Sequence, residues 1–105
     1  MIAPAENKAT VIKRILEGRQ KLASLGVASI GLFGSFERDE PSFSSDVDFL
    51  VVFEPDKHIF DNFMEVSFFL EELLGRRVEV VTPDALSPHI GPYILREVEN
   101  VYIAA

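Results

Sequence analysis

The 105-residue sequence contains no cysteine and no tryptophan, and basic residues are few. Without cysteine, disulfide bonds and thiolate metal sites are excluded, and His58 and His89 do not have the spacing of zinc ligands. Only a hard metal ion bound by oxygen ligands therefore remains compatible with the sequence. Ten basic residues against 17 acidic ones give a net charge of -7, which disfavours nonspecific binding to nucleic acid or to an anionic membrane.

Long hydrophobic runs are also missing. No apolar stretch approaches the roughly 18 residues that a membrane-spanning helix needs, and residues 1–8 lack the pattern of a signal peptide. We therefore expect a soluble cytoplasmic protein that does not bind membranes. Hydrophobic residues make up 48% of the chain and include nine Phe, which predicts a well-filled core. This length predicts a single domain over residues 1–105.

Hydrophobic periodicity predicts alternating helices and strands. Helical spacing covers residues 5–24 and 59–74, and short helices are expected from residue 35 and within 88–97. Strands are expected at 27–33, 46–53, 77–82 and 101–104. The second strand is apolar on both faces for most of its length, which favours a central position in a covered sheet. The order of elements predicts an α/β (α+β) fold, with a small mixed sheet flanked by helices.

Three features could carry chemistry, and each also has a purely structural interpretation. Gly34-Ser35 ends an apolar strand, where such a turn either binds an anion or simply reverses the chain. Asp46 and Asp48 begin the next strand, and the two-residue period places both carboxylates on one face, about 6 to 7 Å apart. They either bind divalent cations or remain solvated at a strand end. Glu79 lies in an otherwise apolar strand, where it either faces water at an edge or meets the two Asp.

The combination is more specific than its parts. Gly34-Ser35, ten intervening residues, Asp46-x-Asp48 and a later strand carboxylate resemble the minimal nucleotidyltransferases (MNT) of the DNA polymerase β superfamily. The resemblance runs from about residue 11 to residue 101 and implies the nucleotidyltransferase fold. It also implies transfer of a nucleoside monophosphate, with ATP as the expected donor, to a hydroxyl group.

The resemblance also implies roles for individual residues. Gly34 and Ser35 would hold the triphosphate, and Arg38 and Ser45 are further nucleotide-binding candidates. Arg38 could equally pair with a carboxylate of the site. The remaining candidates are the carboxylates that would bind two Mg²⁺ ions and carry the catalysis, namely Asp46, Asp48 and Glu79. In the family the third of these positions is usually Asp, so Glu79 is a departure.

Three hypotheses for function follow. Small members of the family commonly accompany a helical HEPN toxin, which makes a hydroxyl of such a partner the preferred acceptor and an antitoxin the preferred role. Alternatively, the chain is a noncatalytic antitoxin that masks its partner, and its acidic surface would suit a basic ribonuclease. A small-molecule nucleotidyltransferase is disfavoured because 105 residues leave no room for the acceptor-binding domain of larger relatives. The acceptor is therefore expected from a partner chain or from a contact between two copies.

Overall fold

A computed structural model of the protein describes residues 3–39 and 46–103. Within these ranges the strands are β1 (Val27–Phe33), β2 (Val47–Phe53), β3 (Val78–Val81) and β4 (Glu99–Tyr102). Their order across the sheet is β3-β2-β1-β4. β1 runs antiparallel to both β2 and β4, whereas β2 and β3 are parallel. The mixed sheet confirms the predicted fold class, and β2 lies between two other strands, as its apolar sequence predicts.

Two helices replace the single helix predicted over residues 5–24. α1 (Lys8–Glu17) begins where the Asn7 side chain accepts a hydrogen bond from the Thr10 N–H at 2.8 Å, and α2 (Arg19–Ser24) follows Gly18. Gly18 has φ -91° and ψ 11°, outside the regular helical region. A Cβ at Gly18 would lie only 3.0 Å from side-chain carbons of both Phe69 and Leu73. The helix therefore divides at a close approach to another helix, which hydrophobic periodicity does not reveal.

The second long helix agrees with its prediction. α3 (Phe60–Leu74) ends at Gly75, which takes a left-handed φ of 65° and donates its N–H to the carbonyl of Glu71. The Glu71 carboxylate accepts a further hydrogen bond from the Val78 N–H at 3.1 Å. α3 is thereby tied directly to the start of β3.

The predicted helix from Ser35 is wrong for the described residues, because residues 34–39 form turns. The Arg38 N–H donates to Gly34 O at 3.2 Å and the Asp39 N–H donates to Phe36 O at 3.1 Å. Phe36 is fully buried and anchors these turns in the core. Asp39 then takes a left-handed φ of 57°, so the turns do not continue into a helix at this residue. Residues 40–45, the rest of the predicted loop, lie outside the described residues.

The C-terminal part contains one element more than predicted. A 3₁₀ turn at Pro83–Ala85 precedes α4 (Gly91–Glu97), which falls inside the predicted range 88–97. The last strand is shifted towards the N-terminus, because β4 pairs with β1 from Glu99 opposite Leu32 to Tyr102 opposite Ser29. Residue 104, the end of the predicted strand, lies outside the described residues.

The core occupies one face of the sheet. Val47, Phe49 and Val51 of β2 are buried there, in one cluster with side chains from α1, α2 and α3. Because side chains alternate along a strand, Asp48 projects from the opposite face of β2. In the described part of the chain, no helix has both the length and the apolar character needed to cross a membrane.

Candidate active site

Strand pairing places the predicted carboxylates beside one another. Asp48 of β2 is in register with Glu79 of the parallel strand β3, so both side chains leave the same face of the sheet. On its other side, Asp48 is opposite Phe33, the last residue of β1 before Gly34. Asp46 is exposed immediately before β2, where the Val47 N–H donates to Arg77 O at 3.0 Å. The structure thus places the Gly34 turn next to the start of β2.

Gly34 and Asp48 are in close contact. Gly34 has φ 79°, a conformation that favours glycine, and a Cβ at this position would overlap the carboxylate of Asp48. Glycine is therefore required here both by the backbone conformation and by the neighbouring side chain. The contact joins two parts of the predicted motif that are 14 residues apart in the sequence (48 minus 34).

The electrostatics of Asp48 reflect this crowding. The pKa of Asp48 is raised from 3.8 to about 6, first by burial and then by the charge of Glu79 and a hydrogen bond with it. The charges of Asp46 and Glu97 make smaller contributions to the same increase. Three other carboxylates therefore act on Asp48 at this end of the sheet. A divalent cation would relieve their mutual repulsion.

The other predicted site residues lie in the turn or outside the described residues. Ser35 is partly exposed and directly follows Gly34. Arg38 is exposed and forms an ion pair with Glu97, which is not one of the predicted site carboxylates, so the predicted role of Arg38 in nucleotide binding stays a prediction. Ser45 lies outside the described residues, so its predicted role in nucleotide binding stays a prediction.

Glu97 is a member of this cluster that sequence patterns did not reveal. One of its oxygens accepts a hydrogen bond from the Gly34 N–H at 3.3 Å, and the other pairs with Arg38. Glu97 lies 63 residues beyond Gly34 and ends the short helix α4. No spacing rule connects such distant positions. The only signal in the sequence is an acidic residue at the C-terminal end of a helix, where the helix dipole disfavours negative charge.

In the described part of the chain, open cavities border the site on two sides. The first, of about 400 Å³, is lined by Arg38, Tyr93, Arg96 and Glu97, and the Arg96 guanidinium lies 4.9 Å from the centre of the Tyr93 ring. The second, of about 410 Å³, extends from Asp48 and Glu79 over mostly apolar side chains of the C-terminal part, among them Leu86, Ile90 and Ile94. One side of the site thus offers cationic groups, and the other offers an apolar groove that starts at the carboxylates.

The donor chemistry of the site fits a hard divalent cation. Asp48 and Glu79 lie side by side and can offer oxygen ligands, which Mg²⁺ prefers, and Asp46 is close enough for its charge to act on Asp48. As the side chains stand, however, residues 3–39 and 46–103 contain no group of three His, Cys, Asp or Glu arranged to hold a metal ion.

Comparison with known proteins identifies the family. The profile of the nucleotidyltransferase domain family matches residues 12–104, and the chain belongs to this family. Protein adenylyltransferase MntA of Thermococcus cleftensis is 45% identical over 78 residues, which are 74% of this chain and 76% of that protein. A Methanocaldococcus jannaschii protein, provisionally named a protein adenylyltransferase, is 33% identical over 92 residues, or 85% and 89% of the two chains.

Solved structures agree with this assignment. A structure described provisionally as a minimal nucleotidyltransferase superposes with a TM-score of 0.77 at 31% identity, covering 89% of this chain and 94% of that one. A chain of a toxin-antitoxin complex solved with AMP-PNP shares the fold, with a TM-score of 0.62 at 21% identity over 90% of this chain and 71% of that one. The predicted resemblance to minimal nucleotidyltransferases and the predicted fold are both confirmed.

Proposed function

We propose that this chain is a Mg²⁺-dependent nucleotidyltransferase that transfers AMP from ATP to a hydroxyl group of a partner HEPN-type toxin and thereby acts as an antitoxin. The observation that carries the proposal is the contact of the Gly34 turn with Asp48, which is in register with Glu79. Membership of the nucleotidyltransferase family supports the reaction class. The names of the adenylyltransferase relatives support AMP as the group transferred, and the fold shared with a toxin-antitoxin complex supports a toxin as partner.

The chain's own residues would divide the work as follows. The turn at Gly34 and Ser35, with Arg38 and Ser45, would hold the triphosphate through backbone N–H groups, hydroxyls and a guanidinium. Asp46, Asp48 and Glu79 would hold two Mg²⁺ ions, whose chemistry when bound is to neutralise phosphate charge. Glu79 is exposed on β3 and can meet an acceptor that approaches from the apolar groove.

The reaction requires one bond to form and one to break at the α-phosphorus of ATP. The acceptor oxygen forms the new P–O bond, and the bond from that phosphorus to pyrophosphate breaks. We assign Glu79 to accept the proton of the acceptor hydroxyl, since it is the exposed carboxylate in register with Asp48. We also propose that residues 1–105 act as a single minimal domain, and that the acceptor is supplied by the partner chain rather than by a second copy.

The second candidate function is a noncatalytic antitoxin that silences its partner by covering it. The contact of Glu97 with the Gly34 N–H and Arg38 favours this candidate, because the Glu97 carboxylate already uses hydrogen-bond donors that the triphosphate would need. The two functions differ in one measurable product, which is AMP bound covalently to the partner.

A labelling experiment tests the proposal. The protein and its co-purified partner are incubated with ATP labelled at the α-phosphate, with Mg²⁺ or with EDTA. We expect label on the partner only with Mg²⁺, and a loss on the order of a hundredfold or more in Asp46→Asn, Asp48→Asn and Glu79→Gln. Glu79→Asp restores the usual family residue and should preserve or raise the transfer.

The matched control for Glu79→Gln is Glu65→Gln, the same change at an exposed position of α3, which should leave labelling unchanged. A partner that is bound and silenced without any label, across several nucleotides and metal ions, would instead establish the masking antitoxin.

A further inference from the structure

Glu97 contacts the Gly34 N–H and Arg38, which are groups that would bind the triphosphate according to the proposed function. Its Oε2 atom accepts a hydrogen bond from the Gly34 N–H at 3.3 Å, and its Oε1 atom is paired with Nη1 of Arg38. The side chain is only 26% exposed, so it lies against the Gly34 turn rather than in open solvent. One carboxylate thus bridges a backbone donor and a guanidinium.

This arrangement resembles the way proteins bind phosphate. Backbone N–H groups in a glycine turn, together with an arginine, form a concave site for an anion, and a carboxylate satisfies the same donors as a phosphate oxygen. Glu97 and a triphosphate would therefore compete for Gly34 and Arg38. Both cannot use these donors at the same time.

The backbone that carries Glu97 is held firmly in place. Val98, the next residue, packs against Gly31 of β1 so closely that a Cβ on Gly31 would overlap the Val98 side chain. β4 begins one residue later and pairs with β1 over four residue pairs. Rotation of the Glu97 side chain away from Gly34 and Arg38 would leave the pairing of β4 with β1 intact.

Charge adds to the competition. The negative charge of Glu97 acts on Asp48, so it belongs to the same group of carboxylates as Asp46 and Glu79. An incoming triphosphate is repelled by this charge as long as Glu97 remains beside Gly34. Removing the charge should make the entry of a phosphate chain easier.

We propose, on the basis of the proposed function, that Glu97 is a displaceable occupant of the triphosphate site and that its carboxylate lowers the affinity for nucleotide. The side chain contacts the Gly34 N–H and Arg38 and must leave both when a nucleoside triphosphate binds. Glu97 is therefore an affinity-setting residue that competes with the nucleotide rather than assisting it.

Calorimetric titration of Glu97→Gln tests this inference. Gln keeps the shape of Glu but loses the charge, so its hydrogen bonds to Gly34 and Arg38 are weaker and easier to replace. ATP and inorganic tripolyphosphate are titrated into the wild type and the variant, with Mg²⁺ and with EDTA. We expect roughly tenfold tighter binding of both ligands to Glu97→Gln in both conditions, since the competition involves only phosphate groups.

The matched control is Glu99→Gln. This variant makes the same change in net charge two residues further along, where the Glu99 carboxylate pairs with Lys8 at 2.8 Å instead of with the site. Its affinity for both ligands should stay within about twofold of the wild type. Glu97→Asp provides a second variant, because a side chain shorter by one methylene cannot bridge Gly34 and Arg38 in the same way, and it should also bind both ligands more tightly.

The possible results separate this inference from the proposed function. If the wild type binds ATP and neither Glu97 variant binds it more tightly, the inference is overturned while the proposed function stands. A loss of affinity in Glu97→Gln seen only with Mg²⁺ would overturn it in favour of a metal-ligand role. If no form of the protein binds ATP or tripolyphosphate, the proposed function fails and the inference fails with it. Thermal unfolding of each variant confirms that the proteins compared are folded.

Discussion

At the scale of single residues, the site is defined by Asp48. Its carboxylate lies against Gly34, is partly removed from water and faces Glu79 across two parallel strands. Burial and like charges both disfavour its ionised form, so the protein without ligand holds Asp48 at a cost in stability. A residue kept under such conditions is typical of a functional site rather than of one that serves the fold.

The pH dependence of stability tests this view of Asp48. Between its ordinary pKa of 3.8 and the value of about 6 in the fold, the folded state retains a proton that the unfolded chain has released. The contribution of Asp48 to the free energy of unfolding therefore falls as the pH rises through this window. In Asp48→Asn this decrease is absent. The free energy of unfolding of the variant should therefore rise relative to that of the wild type between pH 4 and pH 7. We expect a gain of about 1 kcal/mol, after discounting the full shift for partial exposure.

Denaturant unfolding in EDTA at several pH values measures this difference. Asp56→Asn is the matched control, since it removes an exposed carboxylate from the loop after β2 without touching the cluster. The same pH trend in both variants would attribute the effect to net charge instead of to the surroundings of Asp48. A large loss of stability in Asp48→Asn at every pH would mark the residue as structural.

At the scale of secondary structure, the link between α3 and β3 determines where Glu79 lies. Gly75 ends α3 in a left-handed conformation, and β3 begins three residues later at Val78. If the chain left α3 in a different backbone conformation, β3 would pair with β2 in a different register, and Glu79 would no longer lie beside Asp48. The helix end thus contributes to the site although it is distant from the chemistry.

Substitution of Gly75 tests this contribution. Gly75→Ala should lower the free energy of unfolding by about 1 kcal/mol, because an alanine is strained at φ 65°. Gly75→Asn is the control, since asparagine tolerates the left-handed region and should lose clearly less. Thermal and urea unfolding measure both. Equal losses would show that the cost comes from the lost glycine itself and not from the left-handed backbone.

The elements also show how far sequence can predict this molecule. β1 was predicted with its observed bounds, the strand carrying Asp48 was found because it is apolar on both faces for most of its length, and the strand carrying Glu79 was found because Val78 and Val80 alternate with that carboxylate. The break at Gly18 was missed because buried residues continue on both sides of it, and only the proximity of α3 requires it. Glu97 was missed for a related reason, since its position beside Gly34 depends on how α4 and β4 return to the sheet. Local patterns thus predict the elements, whereas contacts between distant elements complete the site.

At the scale of the whole molecule, the net charge should affect the rate of association with a partner more than the rate of dissociation. The net charge of -7 creates a long-range field that attracts a basic partner and is screened by salt. Rim charges mainly change association rates, whereas buried contacts mainly change dissociation rates. If the toxin that we propose as the partner is basic, its association with this chain should be accelerated by electrostatic attraction.

The association rate measured at increasing salt tests this expectation. Between about 50 and 500 mM NaCl, the association rate constant should fall roughly tenfold while the dissociation rate constant changes little. Asp56→Asn, Glu65→Gln and Glu72→Gln together neutralise three exposed acidic residues and change the net charge from -7 to -4. The triple variant should associate more slowly at low salt and depend less on salt, as followed by surface plasmon resonance with the purified partner. An association rate that salt does not change would contradict electrostatic steering and would assign recognition to apolar contacts. Phe60 and Phe68 on α3 have exposed side chains and would then be the first residues to substitute.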